Sequence, residues 1–249
     1  MPRFALTFDD GPGPSTAALL DVLEAASVRA TFFVLGRNLE EAPWCGGDVA
    51  RARSLVLRAL RAGHVVGNHT YSHLRPDRWR ELRADLERGA EVVRGLRREA
   101  FADSARPAES RDAQAPRDAQ APRDEPLAFR LPYGIRLVEQ PIPAAAGTVN
   151  AVAIDPRLAV VASLGLAHVH WTSDFDDWSA RPGDGPALAQ KMIAHVEQNA
   201  ALGLDAVLDL HDSGTGSGFG YERAATVEGV RLLLAEAARR GWTTLTVPA

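Results

Sequence analysis

The chain has one cysteine, Cys45, among 249 residues, so it cannot form an intramolecular disulfide. This excludes the disulfide-stabilised scaffolds on which many small secreted domains depend. We interpret Cys45 as a bystander in a loop rather than as a reactive thiol.

The sequence also lacks an excess of positive charge and a long apolar run. Its formal net charge is -4, so no nucleic-acid partner is expected. The longest apolar run, residues 158–169, is too short to span a bilayer, and no export signal precedes the first apolar segment. We therefore expect a cytoplasmic protein without a membrane segment, although a secreted chain trimmed of its signal would look the same.

What is present is an ordinary globular composition, 46% hydrophobic and 24% charged, in a chain long enough for one large core. Strands are predicted near residues 4–8, 30–35, 65–69, 127–131, 168–173, 206–210 and 243–247. Helices are predicted near residues 16–26, 48–62, 77–98, 157–164, 185–201 and 223–240. This alternation favours a single α/β domain over residues 1–249, with a parallel sheet that closes into a barrel.

One segment differs in kind. Within residues 102–126, the hexapeptide DAQAPR occurs at 112–117 and again at 118–123. A tract rich in Pro, Ala, Asp and Arg cannot bury enough apolar surface to offset its chain entropy. We expect a disordered surface insertion without catalytic residues, rather than an arm that binds a partner.

The sequence TFDDGP at residues 7–12 places Asp9 and Asp10 at the carboxyl end of the first predicted strand. Neighbouring strand residues point to opposite sides, so only a bent backbone lets both carboxylates serve one site. The Gly-Pro pairs at residues 11–14 provide that bend. Two carboxylates this close would force one to hold a proton, unless a cation lies between them.

Two histidines four residues apart, His69 and His73, follow the third predicted strand. In a helix, or in a turn leading into one, both imidazoles can bind one metal ion. Alone, the pair is equally well explained by surface or packing histidines. Together with the paired aspartates it favours a hydrolytic metal site, in which Asp10 binds the ion and Asp9 accepts a proton from water.

The remaining polar residues also follow strands, at the barrel end where α/β barrels carry their chemistry. Arg130 lies among apolar residues and is predicted to pair with Asp9, rather than to be a solvated surface charge. His211 suits a general acid whose pKa is raised by a carboxylate, for which Asp174 is the best candidate. A buried structural histidine is the alternative for His211.

These motifs together resemble the polysaccharide deacetylase family, also called carbohydrate esterase family four. The matching segments are TFDDG at 7–11, HTYSH at 69–73, RLPY at 130–133, DFDDW at 174–178 and LHD at 210–212. They occur in family order and span most of the chain. Any one of them alone would be a weak indication, whereas five in order are specific.

The resemblance implies a distorted (β/α)7 barrel and metal-dependent removal of N-acetyl groups from amino sugars of chitooligosaccharide or peptidoglycan type. It implies that Asp9 is the base, oriented by Arg130, and that the metal ligands are Asp10, His69 and His73. It implies that His211 is the acid, tuned by Asp174. The implied substrate contacts are the Tyr133 N–H as oxyanion donor and Trp178 with Leu210 at the substrate pocket. The implied ion is zinc, with cobalt or nickel as alternatives.

One position departs from the family pattern. It holds Asp209, where the family usually has a leucine that lines the pocket for the acetyl methyl group. Its carboxylate either shares the strand face of His211 or points away at a strand irregularity. Three hypotheses therefore stay open. The chain is an N-deacetylase of amino sugars, or it performs the same hydrolysis on a small amide, a ureide or a differently acylated amino sugar, or it is a non-catalytic sugar-binding module.

Overall fold

The computed structural model describes residues 1–44, 47–102, 127–134, 138–144, 147–153, 155, 157–214 and 222–247. The strands are β1 (Arg3–Gly11), β2 (Thr31–Val34), β3 (Val65–Asn68), β4 (Ala128–Phe129), β5 (Val138–Ala144), β6 (Gly147–Ala153), β7 (Ala167–His168), β8 (Ser173–Asp174), β9 (Ala206–His211) and β10 (Thr243–Leu245). The α-helices are α1 (Thr16–Ala25), α2 (Val49–Arg61), α3 (Leu82–Phe101), α4 (Arg157–Ser163), α5 (Gly185–Ala201) and α6 (Ala224–Arg240). The predicted insertion lies outside the described residues, except for its first position.

The main sheet runs in the order β7-β4-β3-β2-β1-β9-β8, and β10 also pairs with β1. Every pairing in this sheet is parallel. The strands alternate with helices, and the sheet curves into a distorted (β/α)7 barrel, which confirms the predicted fold class. Within the described ranges, no helix has the length and apolarity needed to cross a bilayer.

Two local predictions need correction, and one element was missed. The strand predicted at 168–173 is two short strands, β7 and β8, which form the two edges of the sheet. The long charged helix begins at Leu82 rather than at 77, after a 3-10 helix over Pro76–Glu81. The antiparallel hairpin of β5 and β6 was not predicted at all.

Side chains of β1 alternate between two environments, because successive strand residues point to opposite faces. Phe4, Leu6 and Phe8 pack in the main apolar core with residues of the surrounding helices. Thr7 and Asp9 face the other way, and Asp9 pairs in register with His211 of β9. The outward face of β1 is therefore apolar, whereas its inward face carries Thr7 and Asp9. Phe33, Ala128 and Val169 form a second, smaller apolar cluster.

The packing of α1 gives a stability prediction. The Leu20→Ala variant removes a fully buried side chain of α1 and should cost about 3 kcal/mol of the free energy of unfolding. The control variant Leu202→Ala changes a leucine that is 74% exposed and should cost less than about 0.5 kcal/mol. Urea denaturation of both variants checks this, and equal losses would contradict the described packing.

Candidate active site

The bend predicted after the first strand is present. Asp10 has a left-handed backbone with φ of 71°, and the pairing of β1 with β2 shifts register between Asp9 and Gly11. The side-chain amide of Asn38 donates to the Asp10 carbonyl at 2.8 Å and holds the bent segment. Two neighbouring carboxylates can therefore face one site, which a regular strand would not allow.

Asp10, His69 and His73 form a compact cluster, each offering a ligand atom within 4.8 Å of the others. The nearest approach joins His73 Nε2 to Asp10 Oδ1 at 3.3 Å, and His69 Nε2 lies 3.6 Å from the same oxygen. The two histidines do not share a helix. They are brought together by a turn in which Thr70 and His73 both have positive φ, with His73 N donating to Thr70 Oγ1 at 3.0 Å.

The chemistry of this cluster fits a divalent cation of the zinc type. The His69 Nδ1 atom lies 3.0 Å from the Arg130 carbonyl, which can only accept, so Nδ1 carries the proton and Nε2 presents its lone pair. His69 Nε2 lies 3.6 Å from both Asp10 Oδ1 and Asp9 Oδ2. Burial lowers the pKa of both imidazoles well below the usual range, so both are neutral, as metal ligands must be. The buried Asp10 Oδ1 accepts no hydrogen bond within the described part of the chain.

Asp9 differs from Asp10 in forming an ion pair with an arginine. The fully buried Arg130 donates from Nη1 to Asp9 Oδ1 at 3.0 Å, as predicted from the sequence. The same nitrogen lies 2.7 Å from Asp209 Oδ1 and 2.7 Å from Thr7 Oγ1. Burial raises the pKa of Asp9, and the charge of Arg130 opposes this rise.

Asp209 lies on the inward face of β9, together with His211. The strand is regular here, with Thr7 opposite Asp209 and Asp9 opposite His211. Of the two alternatives, the shared face is therefore confirmed, and the Asp209 carboxylate is paired with Arg130. Burial and the nearby charge of Asp9 raise the pKa of Asp209 well above its usual range.

The carboxylate beside His211 is Asp177, so the predicted pairing with Asp174 is wrong. His211 Nδ1 lies 2.7 Å from Asp177 Oδ1, and His211 N donates to Asp177 Oδ2 at 2.9 Å. Asp174 ends β8 exposed to solvent and accepts from Asp176 N. The left-handed turn at Asp176 then directs the next residue inward. Because three of the four residues at 174–177 are aspartates, the sequence alone did not indicate which of them pairs with His211.

Asp177 changes the protonation of His211. Burial alone would lower the pKa of His211, but the hydrogen bond with Asp177 and the charges of Asp177, Asp10 and Asp209 raise it to about 10. Thr226 Oγ1 donates to Asp177 at 2.7 Å and fixes this carboxylate from α6. The imidazole is therefore protonated at neutral pH, as a general acid requires.

The three predicted substrate-contacting residues have different positions. The Tyr133 ring lies 4.7 Å from the His73 ring, and Tyr133 and Trp178 are about half exposed, at 47% and 53%. Leu210, by contrast, is fully buried in the helix-facing core and pairs in register with Phe8. The assignment of the Leu210 side chain to the substrate pocket is therefore wrong, because it alternates with the inward-facing Asp209 and His211.

Comparisons with known proteins identify the family of the chain. The sequence model of the family Polysaccharide deacetylase matches residues 2–138. The chain is 32% identical over 203 residues to the chitooligosaccharide deacetylase of Sinorhizobium fredii, covering 81% of this chain and 70% of the relative. It is 28% identical over 246 residues to a peptidoglycan-N-acetylglucosamine deacetylase of Bacillus cereus, covering 98% and 85%.

A solved structure shows the same fold. The family 4 carbohydrate esterase from Streptomyces lividans superposes with a TM-score of 0.58 at 23% identity, over 98% of this chain and 91% of that one. The chain belongs to the polysaccharide deacetylase family and is an enzyme of the hydrolase class.

The geometry around His211 gives a second prediction. In metal-free protein, Asp177→Asn should lower the pKa of His211 by at least about two pH units, because the carboxylate that stabilises the imidazolium is lost while burial remains. The matched variant Asp174→Asn should leave that pKa nearly unchanged. An NMR pH titration of the His211 ring measures both. A larger effect of Asp174→Asn would restore the prediction made from the sequence.

Proposed function

We propose that the chain is a metal-dependent N-deacetylase of amino sugars in chitooligosaccharide or peptidoglycan-type substrates. The observation that carries the proposal is the division of the two adjacent carboxylates: Asp10 lies with His69 and His73, whereas Asp9 is held by Arg130. The names of the Sinorhizobium and Bacillus relatives support the substrate class.

Asp10, His69 and His73 would hold the ion, for which zinc fits best and cobalt or nickel are alternatives. When bound, such an ion supplies Lewis acidity that polarises the amide carbonyl and makes water nucleophilic near neutral pH. Asp9 then accepts the proton of the attacking water while Arg130 keeps its carboxylate in place.

His211, Tyr133 and Trp178 supply the remaining parts of the proposed reaction. His211, protonated and held by Asp177, donates its proton to the nitrogen of the leaving amine. The Tyr133 N–H donates to the oxyanion, and the half-exposed Trp178 lines the acyl pocket. A pure sugar-binding module would need neither the Asp9–Arg130 pair nor the His211–Asp177 pair.

Asp209 favours one second candidate, the same hydrolysis of a small amide, a ureide or an amino sugar with another acyl group. Its carboxylate lies on the inward face beside His211, where an apolar wall would suit an acetyl methyl better. The pairing of this carboxylate with Arg130 offsets part of its charge, so acetyl remains the first choice.

Acetate release tests the proposed function. Protein stripped of metal and reloaded with zinc or cobalt should release acetate from N-acetylglucosamine oligomers or peptidoglycan fragments, and the stripped protein should not. Absence of acetate from protein that binds one equivalent of zinc would overturn the acetyl assignment and favour the second candidate. Failure to bind zinc would overturn the metal site itself.

Two variants separate metal binding from proton transfer. Asp9→Asn should retain one equivalent of zinc and lose about 10²- to 10⁴-fold in kcat, because only the base is removed. His69→Ala should lose zinc and activity together, because a ligand is removed. Zinc content is measured by elemental analysis beside the acetate assay, with the exposed-site variant Asp205→Asn as control. Loss of zinc in Asp9→Asn would contradict the division of roles.

A further inference from the structure

A second buried arginine, Arg157, lies behind the loop that carries Tyr133. It is the first residue of α4, and its side chain is 3% exposed. Arg157 Nη1 donates to the Pro132 carbonyl at 3.1 Å, and Nη2 donates to the Gly134 carbonyl at 2.7 Å. Its guanidinium therefore binds the loop on both sides of Tyr133.

Asp155 holds this guanidinium in place. Arg157 Nη2 lies 2.6 Å from Asp155 Oδ2, and Arg157 Nε lies 3.0 Å from both carboxylate oxygens. Arg157 N also donates to Asp155 Oδ1 at 3.0 Å. Burying an ion pair carries a large desolvation cost, which is offset only when the geometry is good and the remaining donors are satisfied. Here one N–H of Nη1 and one of Nη2 donate to the two loop carbonyls.

The loop needs such a support, because its backbone is strained. Tyr133 has φ of 64°, a left-handed conformation that residues with a side chain rarely adopt. Conformations of this kind persist where the surrounding structure holds them. The Trp171 ring also packs against this loop, so closely that a Cβ at Gly134 would lie 2.8 Å from it.

The carbonyl of Pro132 and the N–H of Tyr133 belong to one peptide unit. Among the described residues the one cis peptide bond is Gly11-Pro12, so this unit is trans, and its C=O and N–H point in opposite directions. The contact of Arg157 with the Pro132 carbonyl therefore turns the Tyr133 N–H away from α4. The Tyr133 ring lies against His73, so the loop borders the Asp10, His69 and His73 cluster.

We propose that Arg157, held by Asp155, is a positioning residue that fixes the direction of the Tyr133 N–H as oxyanion donor. The inference rests on the proposed deacetylase function, because the oxyanion arises from the amide carbonyl under attack. Arg157 itself touches neither substrate nor ion. It acts through the Pro132–Tyr133 peptide.

The kinetic test compares Arg157→Ala and Arg157→Lys in the zinc-loaded enzyme. Arg157→Ala should lower kcat by about 10- to 100-fold, less than the loss of an oxyanion donor, while KM and zinc stoichiometry stay within about twofold. Arg157→Lys should recover part of kcat, because an ammonium can reach one carbonyl but lacks the fork that spans both.

A stability control separates positioning from simple damage to the fold. Leu234→Ala removes a buried core side chain of α6 and should lower the melting temperature without changing kcat. An unchanged kcat in Arg157→Ala would overturn the proposal. The proposal would also be overturned if Leu234→Ala, at an equal loss of stability, lowered kcat as much as Arg157→Ala does.

The direction of the Tyr133 peptide is also measured without any substrate. A crystal structure of Arg157→Ala should show the Pro132–Tyr133 peptide rotated from its wild-type direction. An unchanged peptide would overturn the proposal whatever the substrate of the enzyme is. Failure of the deacetylase proposal is recognised separately, by the absence of acetate release from the wild-type enzyme.

Discussion

The structure depends on how two adjacent carboxylates, Asp9 and Asp10, are kept in one buried place. Two anions this close raise each other's pKa unless positive charge nearby offsets the repulsion. The left-handed backbone at Asp10 lets both side chains face one site, where His69 Nε2 lies 3.6 Å from an oxygen of each. Arg130, which follows β4, forms an ion pair with Asp9. The neutral imidazole of His73, which follows β3, lies 3.3 Å from Asp10. The parallel barrel brings these strand ends together.

The need to hold Asp9 in place also explains the polar side chains that surround Arg130 inside the barrel. Arg130 cannot support Asp9 unless it is itself held, and Thr7 and Asp209 provide two further acceptors for its Nη1 nitrogen. These residues alternate along β1 and β9 with Phe8 and Leu210, which pack against the helices. Because side chains alternate along a strand with a period of two, the polar site residues and the apolar core residues lie on opposite faces of the same strands.

This period, together with the rule that sites follow parallel strands, made much of the site predictable. The pairing of Asp9 with Arg130 and the cluster of Asp10 with two histidines were both expected. The outward direction of Leu210 was also implied by the strand period, and its assignment to the substrate pocket overlooked this. Asp177 was not distinguishable from Asp174, because a left-handed turn at Asp176 decides which carboxylate points inward. The support by Asp155 and Arg157 depends on tertiary contacts between distant segments, for which the sequence carries no periodic signal.

We assign Asp9 and Asp10 different roles because Arg130 forms an ion pair with Asp9, whereas Asp10 lies in the cluster with His69 and His73. A crystal structure of the zinc-loaded enzyme, with zinc located by anomalous scattering, tests it most directly. The account predicts one zinc ion about 2 Å from Asp10, His69 Nε2 and His73 Nε2, with Asp9 still paired to Arg130. Zinc bound by Asp9 or Asp209, or an Asp9 carboxylate turned away from Arg130, would contradict it.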